Sequence, residues 1–341
     1  MIPMHLLLGF VLVLLAGLLQ GTFILPMTLV RQWSWEHTWA TFSFLGMIVF
    51  NWAITLLFVP NILAVYLASP PRDIAILGLF GLGWGAGAVL FGLGMARLGM
   101  ALGYPIIMGV IASLGALIPM LVFFPETVLT PKGLVLLGGT AVVIVGIGVC
   151  SVAGSRRMPP TAKPNAITSD TLAVGLAIAV LAGILSCLPN VSMAFAKNLT
   201  GVVETLGISH ASAGNIVWAL LFTLGSLANL SYCLALMIRK NTLRQYWNSE
   251  TPRNLGLSAL MALLWIGSFY LYGAGATRLG RWGVVAGWPL FISISIIIGN
   301  LWGLWRGEWK AATASARRLL NLGLVILIAA VIVVALSNSF Q

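Results

Sequence analysis

Long apolar runs alternate with short polar stretches along almost the whole chain. Ten of these runs approach or exceed the roughly 20 residues that a helix needs to cross the hydrocarbon core of a bilayer. Their approximate limits are 4–26, 39–60, 74–96, 99–124, 132–152, 171–196, 211–237, 255–277, 282–304 and 317–338. The alternating segments of about ten residues that build a transmembrane barrel do not occur. The pattern predicts an all-α integral membrane protein with ten spanning helices, most of them joined by short loops as helix hairpins.

Two distant glycine-rich stretches, 81–105 and 262–289, share residues in the same order. The pairs at an offset of 181 are Trp84 with Trp265, Gly92 with Gly273, Gly94 with Gly275, Arg97 with Arg278, Leu98 with Leu279 and Gly99 with Gly280. Apolar segments share glycines by chance, but a tryptophan and an arginine shared in order indicate an internal repeat.

The longest polar stretch, 154–170, divides the ten runs into five and five. It predicts a first repeat at 1–153, a linker at 154–170 and a second repeat at 171–341. Because each repeat has an odd number of spans, the second must enter the membrane upside down relative to the first. Inverted repeats with interrupted helices are typical of secondary transporters, which bind substrate near the bilayer midplane between the repeats.

The first span of each half carries a related motif. LAGLLQ at 15–20 returns as LAGILS at 181–186, and a proline follows each copy, at Pro26 and Pro189, although not at matched positions. The motif supports a duplication and predicts a break in both helices, since proline interrupts helical hydrogen bonding.

Composition agrees with a membrane location and indicates an orientation. The chain is 60% apolar and 7% charged, whereas a soluble domain carries roughly 25% charged residues. Its net charge is +11, and the basic residues fall between the apolar runs. This placement favours anionic lipid headgroups over nucleic acid as the partner. Thirteen of the 18 Lys and Arg residues fall in the loops between spans 1–2, 3–4, 5–6, 7–8 and 9–10. Because the basic side faces the cytoplasm, both termini are predicted outside.

Motifs in the first half resemble one transporter family. WSWE at 33–36, NWAI at 51–54, WGxG from Trp84 and LGM at 98–100 are similar to the L-rhamnose–proton symporters. The resemblance implies the drug/metabolite transporter superfamily, with ten spans in two inverted five-helix halves. It also implies a bacterial inner-membrane importer of a small sugar, L-rhamnose, driven by protons through alternating access. The alternative is an uncoupled facilitator, or an exporter of another small metabolite, on the same fold.

A neutral sugar needs hydrogen-bonding side chains and flat aromatic faces at mid-depth. Among the amides within spans, Gln20, Asn51 and Asn190 are candidates for binding it. Gln20 and Asn190 are favoured because each lies near a helix breaker. Bonding between helices is the alternative role for such amides. The aromatic candidates are Trp52, Trp84, Trp265 and Trp288, with Tyr104 and Tyr270 as weaker ones.

Proton coupling has few candidates. All seven acidic residues fall in loops or at span ends, although a membrane-embedded carboxylate is the usual proton carrier. Glu36 is the best candidate because it belongs to the WSWE motif, and a solvated interfacial carboxylate is its alternative role. Lys197, at the end of span six, is a candidate partner for such a carboxylate or simply reaches the interface. If no group couples, the protein is a facilitator.

Other classes of function lack their residues. No predicted span contains Asp or Glu, and the chain has no HExxH or GxSxG motif, so an enzyme is not predicted. Cys150, Cys187 and Cys233 lie within apolar runs without metal-ligand spacing, so neither a metal, a disulfide nor another cofactor is predicted. The predicted partners are a small sugar, protons and the lipid bilayer. The oligomeric state stays open.

Overall fold

The computed structural model describes residues 4–157, 169–196, 199, 202–203, 205–209, 212–280 and 283–336. Throughout this part of the chain the regular structure is helical, and it contains no strand. The all-α prediction is therefore confirmed.

The α-helices are α1 (Met4–Thr22), α2 (Trp35–Ser43), α3 (Asn51–Phe58), α4 (Ile62–Ala68), α5 (Pro71–Phe123), α6 (Pro131–Arg157), α7 (Ser169–Ser186), α8 (Leu188–Phe195), α9 (Ala213–Arg239), α10 (Thr251–Arg278), α11 (Gly283–Trp305) and α12 (Ala314–Leu336). Short 3-10 turns cover Leu25–Leu29, Pro125–Thr127 and Leu243–Tyr246. A π-helical segment, Phe44–Phe50, joins α2 to α3.

Ten segments of the described chain are long and apolar enough to cross a membrane. They are Met4–Leu29, Trp35–Phe58, Pro71–Met95, Ile106–Phe123, Pro131–Arg157, Leu172–Phe195, Gly214–Arg239, Thr251–Arg278, Gly283–Trp305 and Ala314–Leu336. Each coincides with one predicted run, so the prediction of ten spans is confirmed. Large apolar side chains such as Leu14, Val145 and Ile328 are exposed along these segments, as a surface in contact with lipid requires.

Spans 3 and 4 form one unbroken helical element, α5, yet the chain reverses inside it. In a straight helix Gly94 and Ile107 would lie about 20 Å apart, but a β-carbon on Gly94 would meet the Ile107 side chain at 3.3 Å. The rings of Phe91 and Tyr104 are likewise only 6.5 Å apart. The predicted hairpin at this point is present, and helical residues lead directly into its tight turn from both sides.

The first span of each half is interrupted, as the LAG motifs and the prolines predict. Span 1 ends its α-helix at Thr22 and continues as the 3-10 turn Leu25–Leu29, which contains Pro26. Span 6 breaks at Cys187, and α8 begins at the next residue with Pro189 in its first turn. At the offset of 166 that aligns the two motifs, the breaks fall within three residues of each other.

The described contacts group the chain into two compact units, and each draws on both halves of the sequence. Unit 1 comprises Met1–Ala86 and Ser192–Gly280, and unit 2 comprises Gly87–Val191 and Arg281–Gln341. The predicted division at 154–170 follows chain order and symmetry rather than compactness. It stays a prediction.

Glycines bring the helices of unit 1 close together. A β-carbon on Gly81 would lie 2.5 Å from the carbonyl oxygen of Leu221, and one on Gly85 would collide with the carbonyl oxygen of Gly225. The start of α5 therefore packs backbone to backbone on α9, as small residues allow in membranes. Gly9 and Gly275 do the same for α1 and α10, where a β-carbon on Gly275 would lie 2.9 Å from the carbonyl oxygen of Gly9.

In unit 2 the closest helix pair is α6 with α12. Gly139 packs against Val334, Gly146 against Leu327 and Gly323 against Cys150. Cys150, like Cys187 and Cys233, is a buried free thiol, which agrees with a packing role.

Candidate functional site

An aromatic cluster occupies the interior of unit 1, where α2, α5, α9 and α10 meet. Its members are Phe42, Trp84, Trp218, Phe222, Trp265 and Phe269. At its centre the rings of Trp84 and Trp265, the tryptophans that the predicted repeat pairs, stack with centroids 5.8 Å apart and planes inclined by 26°. In a two-fold repeat, equivalent residues contact each other only close to the symmetry axis. The contact between Trp84 and Trp265 is therefore one that the predicted repeat would allow.

Trp84 and Trp265 differ in accessibility. Trp265 is 4% exposed and is enclosed by Phe42, Phe222 and Phe269. Trp84 is only half-buried, and its ring is seated on Gly225, where a β-carbon would lie 2.5 Å away. Within the described chain neither indole N–H has a hydrogen-bond partner. Trp84 is therefore partly exposed and carries an indole N–H without a partner among the described residues, while Trp265 packs against its ring.

A polar network lies at the start of α3 and connects it to two other helices. Asn51 is fully buried, and its side-chain amide donates to the carbonyl oxygen of Trp218 at 2.9 Å. The Tyr270 hydroxyl donates to Oδ1 of Asn51 at 2.9 Å and also contacts Oγ1 of Thr55. Asn51 therefore ties helices together in this conformation, the alternative that sequence alone left open for in-span amides.

Trp52 and Gln20 are half-buried. The Trp52 indole donates to Oγ1 of Thr223 at 2.8 Å. Oε1 of Gln20 accepts a hydrogen bond from Oγ of Ser268 at 2.7 Å, and the same hydroxyl lies 2.6 Å from the carbonyl oxygen of Trp265. The NH2 group of Gln20 has no partner among the described residues, which leaves two donors for a ligand.

Glu36 lies in the first turn of α2, buried to 2% exposure. Its Oε1 is 3.1 Å from Nζ of Lys240, whose side chain is 53% exposed. In this conformation the carboxylate is covered and lies beside an exposed cation. The neighbouring His37 is fully buried, and its Nε2–H donates to the carbonyl oxygen of Thr242 at 2.9 Å.

The remaining described candidates belong to unit 2. Asn190 is fully buried, and its amide donates to the carbonyl oxygens of Gly115 at 2.6 Å and Val284 at 2.8 Å. The Trp288 indole donates to the carbonyl oxygen of Ile111 at 2.9 Å. Both side chains thus hold the second half of α5, and Tyr104 lies half-buried at its tight turn.

Lys197 lies outside the described residues, so its predicted pairing stays a prediction. Among the residues that the structure does describe, no three His, Cys, Asp or Glu side chains are grouped to hold a metal ion.

Comparison with known proteins decides the family. The sequence model of the family described as L-rhamnose-proton symport protein (RhaT) matches residues 3–339. This chain belongs to the L-rhamnose-proton symport protein family. The family is one of transporters rather than enzymes.

Individual members of the symporter family match over nearly their whole length. Proteins named L-rhamnose-proton symporter from Shigella dysenteriae serotype 1 and Citrobacter koseri are each 29% identical to this chain over 324 residues. The protein of the same name from Salmonella dublin is 30% identical. Each alignment covers 92% of this chain and 93% of the relative.

Several residues of this family member become visible only in three dimensions. Phe222, Phe269 and Trp218 complete the aromatic cluster, yet in sequence they are ordinary apolar residues of their spans. In sequence, Lys240 is only one of the loop cations that indicate the orientation of the protein in the membrane. The adjacency of His37 to Glu36 in the WSWE segment was the one available signal for a second buried ionisable group.

Proposed function

We propose that this protein imports L-rhamnose together with protons across the bacterial inner membrane as a multi-pass secondary transporter. The observation that carries the proposal is the match to the symporter family across residues 3–339. The ten apolar spans support the membrane location, and the partly exposed indole of Trp84 is the proposed surface for a sugar.

We propose further that the fold consists of two inverted five-span repeats, 1–153 and 171–341, with 154–170 as linker and both termini outside. Such a fold belongs to the drug/metabolite transporter superfamily. The stacking of Trp84 on Trp265 supports a two-fold relation, and so do the matching breaks in spans 1 and 6. Alternating access then arises from rocking of the repeats around the substrate.

In this proposal the sugar lies against the half-buried face of Trp84. Pyranose rings present C–H groups on their faces and hydroxyls at their edges, so an aromatic face and nearby amides form a complementary surface. Gln20, with its free NH2 group, is the first hydroxyl partner. Trp52, Tyr104 and Tyr270 are half-buried and complete the candidate set, while Asn51, Asn190, Trp265 and Trp288 become available only if the helices they tie separate.

The coupling acid in this proposal is Glu36. Among the described residues, Glu36 is the acidic residue whose side chain is buried, with 2% exposure. An ionisable group buried in a membrane protein is by default a functional candidate. Lys197, outside the described residues, stays a candidate that either pairs with such a carboxylate or simply reaches the interface.

Uptake of labelled L-rhamnose into proteoliposomes, with and without an inward proton gradient, tests the function. Unlabelled L-fucose, L-lyxose, D-glucose and a set of amino acids serve as competitors. We expect accumulation that depends on the gradient. Unlabelled L-rhamnose, added in a parallel sample, should suppress it strongly, and the other competitors should not. Equilibration that ignores the gradient would leave a facilitator, and no uptake by folded protein would overturn the rhamnose assignment.

A further inference from the structure

Several contacts fasten the start of α2 to the segment that joins α9 to α10, and we call this set the α2 latch. On the α2 side it consists of Ser34, Glu36, His37 and Thr41, and on the other side of Lys240, Thr242, Gln245 and Tyr246. The backbone N–H and the hydroxyl of Ser34 both donate to Oε1 of Gln245, at 2.8 and 2.7 Å. The Tyr246 hydroxyl donates to the carbonyl oxygen of His37 at 3.2 Å.

The ion pair at the centre of the latch is unequal in its exposure to solvent. The Lys240 side chain is 53% exposed and that of Glu36 only 2%. If the latch opens, the ammonium of Lys240 moves into water and is fully hydrated there. Where α9 and α10, on which α2 also packs, keep the carboxylate of Glu36 covered, it has no such route, and a buried unpaired charge is strongly unfavourable. Separation of the pair therefore favours the uptake of a proton by Glu36.

We propose that Lys240 is the coupling partner of Glu36 and that it alternates with the transported proton, an inference that rests on the proposed function. With the latch closed, the carboxylate is neutralised by the Lys240 ammonium. With the latch open, one proton from water is bound to a carboxylate oxygen of Glu36, while Lys240 keeps its own proton in solvent. The buried site is electrically neutral in both states, so opening and closing of the latch are tied to proton uptake and release.

Other ionisable groups around Glu36 do not replace Lys240 in this role. His37, on the same helix, already donates from Nε2 to Thr242, and its Nδ1 is buried without a partner among the described residues. Cys233 of α9 faces the carboxylate, and the phenol of Tyr246 packs on the imidazole of His37 with centroids 4.7 Å apart. Burial raises the pKa of Tyr246, so its hydroxyl stays protonated as a donor in the latch. Lys240 supplies the one positive charge in contact with the carboxylate among the described side chains.

Two transport assays on the same proteoliposomes separate coupling from binding. Counterflow of labelled L-rhamnose against internal unlabelled sugar needs no net proton movement, whereas accumulation under a pH gradient does. The variants are Lys240→Met, Lys240→Arg and Glu36→Gln. Arg244→Gln is the matched control, since Arg244 is an exposed cation of the same connecting segment and its side chain has no ion-pair partner in the described chain.

A gradient of one pH unit drives about tenfold accumulation for one proton per sugar. Wild type, Lys240→Arg and Arg244→Gln are expected to approach this ratio. Lys240→Met and Glu36→Gln are expected to fall about tenfold, to simple equilibration, with counterflow retained. Accumulation by Lys240→Met equal to that of Arg244→Gln would overturn the inference and leave rhamnose import intact.

Infrared spectroscopy of purified protein gives a readout that needs no sugar. At neutral pH, Lys240→Met should show the carbonyl band of a protonated carboxylic acid that is missing from wild type and from the double variant Glu36→Gln with Lys240→Met. Absence of that band would contradict the proposed exchange of lysine for proton. This comparison decides the inference even if wild type fails in rhamnose counterflow, a failure that would count against the proposed function alone.

Discussion

The hydroxyl of Tyr270 reaches both oxygens of Asn51, the main-chain carbonyl at 2.8 Å and the side-chain Oδ1 at 2.9 Å. Asn51 is fully buried, so bulk water does not reach these oxygens. The Tyr270 hydroxyl on α10 thus donates to the acceptors of Asn51, the first residue of α3. These hydrogen bonds join the second and eighth spans inside unit 1.

Replacing Tyr270 with phenylalanine should lower the stability of the folded protein. The variant leaves Oδ1 of a buried asparagine without its donor, which costs about 1–3 kcal/mol. Thermal unfolding in detergent measures the effect as a lower Tm. Tyr232→Phe is the control, because Tyr232 is also half-buried and its hydroxyl makes no hydrogen bond within the described residues. Equal Tm values for the two variants would contradict the role of the Tyr270 hydroxyl.

Gly85→Ala should impair folding, whereas Gly92→Ala should not. A β-carbon on Gly85 would collide with the backbone of Gly225, and one on Gly92 would meet nothing within 4 Å. In a helix, alanine is preferred over glycine by about 1 kcal/mol, so Gly92→Ala is neutral or stabilising. The yield of monodisperse protein and its Tm compare the two. A well-folded Gly85→Ala protein would show that α5 and α9 are not held in close contact.

Trp84→Leu should weaken rhamnose transport through an increase in KM. Loss of an aromatic contact and its free N–H is worth about 1.4 kcal/mol, or roughly tenfold in affinity. Trp247→Leu is the control, because Trp247 is 79% exposed and lies outside the aromatic cluster. Counterflow at several sugar concentrations gives KM for both. An unchanged KM in Trp84→Leu would remove Trp84 from the substrate site.

Asn190→Leu should lower stability by more than Asn300→Leu does. The amide of Asn190 donates to carbonyl oxygens on two other helices, and the loss of such buried hydrogen bonds costs about 1–3 kcal/mol. Among the described residues, the side chain of Asn300 bonds only to the carbonyl oxygen of Ile296, four residues earlier on its own helix. Paired Tm measurements test the difference. A normal Tm combined with a raised KM in Asn190→Leu would instead assign Asn190 to the sugar.

The spans could be predicted from the sequence because the length of an apolar helix is set directly by membrane thickness. The breaks at Thr22 and Cys187 were predictable for a similar reason, since proline removes a helical donor wherever it occurs. The tight reversal inside α5 was predicted only as a loop. Which residues remain hydrogen-bonded around a turn depends on packing that a hydropathy pattern does not contain.

Side-chain partners were much less predictable. Glu36 and Lys240 are separated by some two hundred residues, and each looks like an interfacial charge in its own segment. The buried state of Glu36 depends on how α2 packs on α9 and α10, which no local pattern encodes. The amide of Asn51 had two possible roles in sequence, and only the positions of Trp218 and Tyr270 distinguish between them.

The π-helical segment Phe44–Phe50 separates the two chemically distinct ends of span 2, with Glu36 before it and Asn51 after it. A π turn holds one residue more than an α turn. Tightening it by that residue would rotate everything that follows by about 100° around the helix axis. Such a rotation would carry Asn51 away from Tyr270, and Trp52 away from Thr223. A change in the π-helical segment would therefore rotate the end of the span that carries Asn51 relative to the end that carries Glu36.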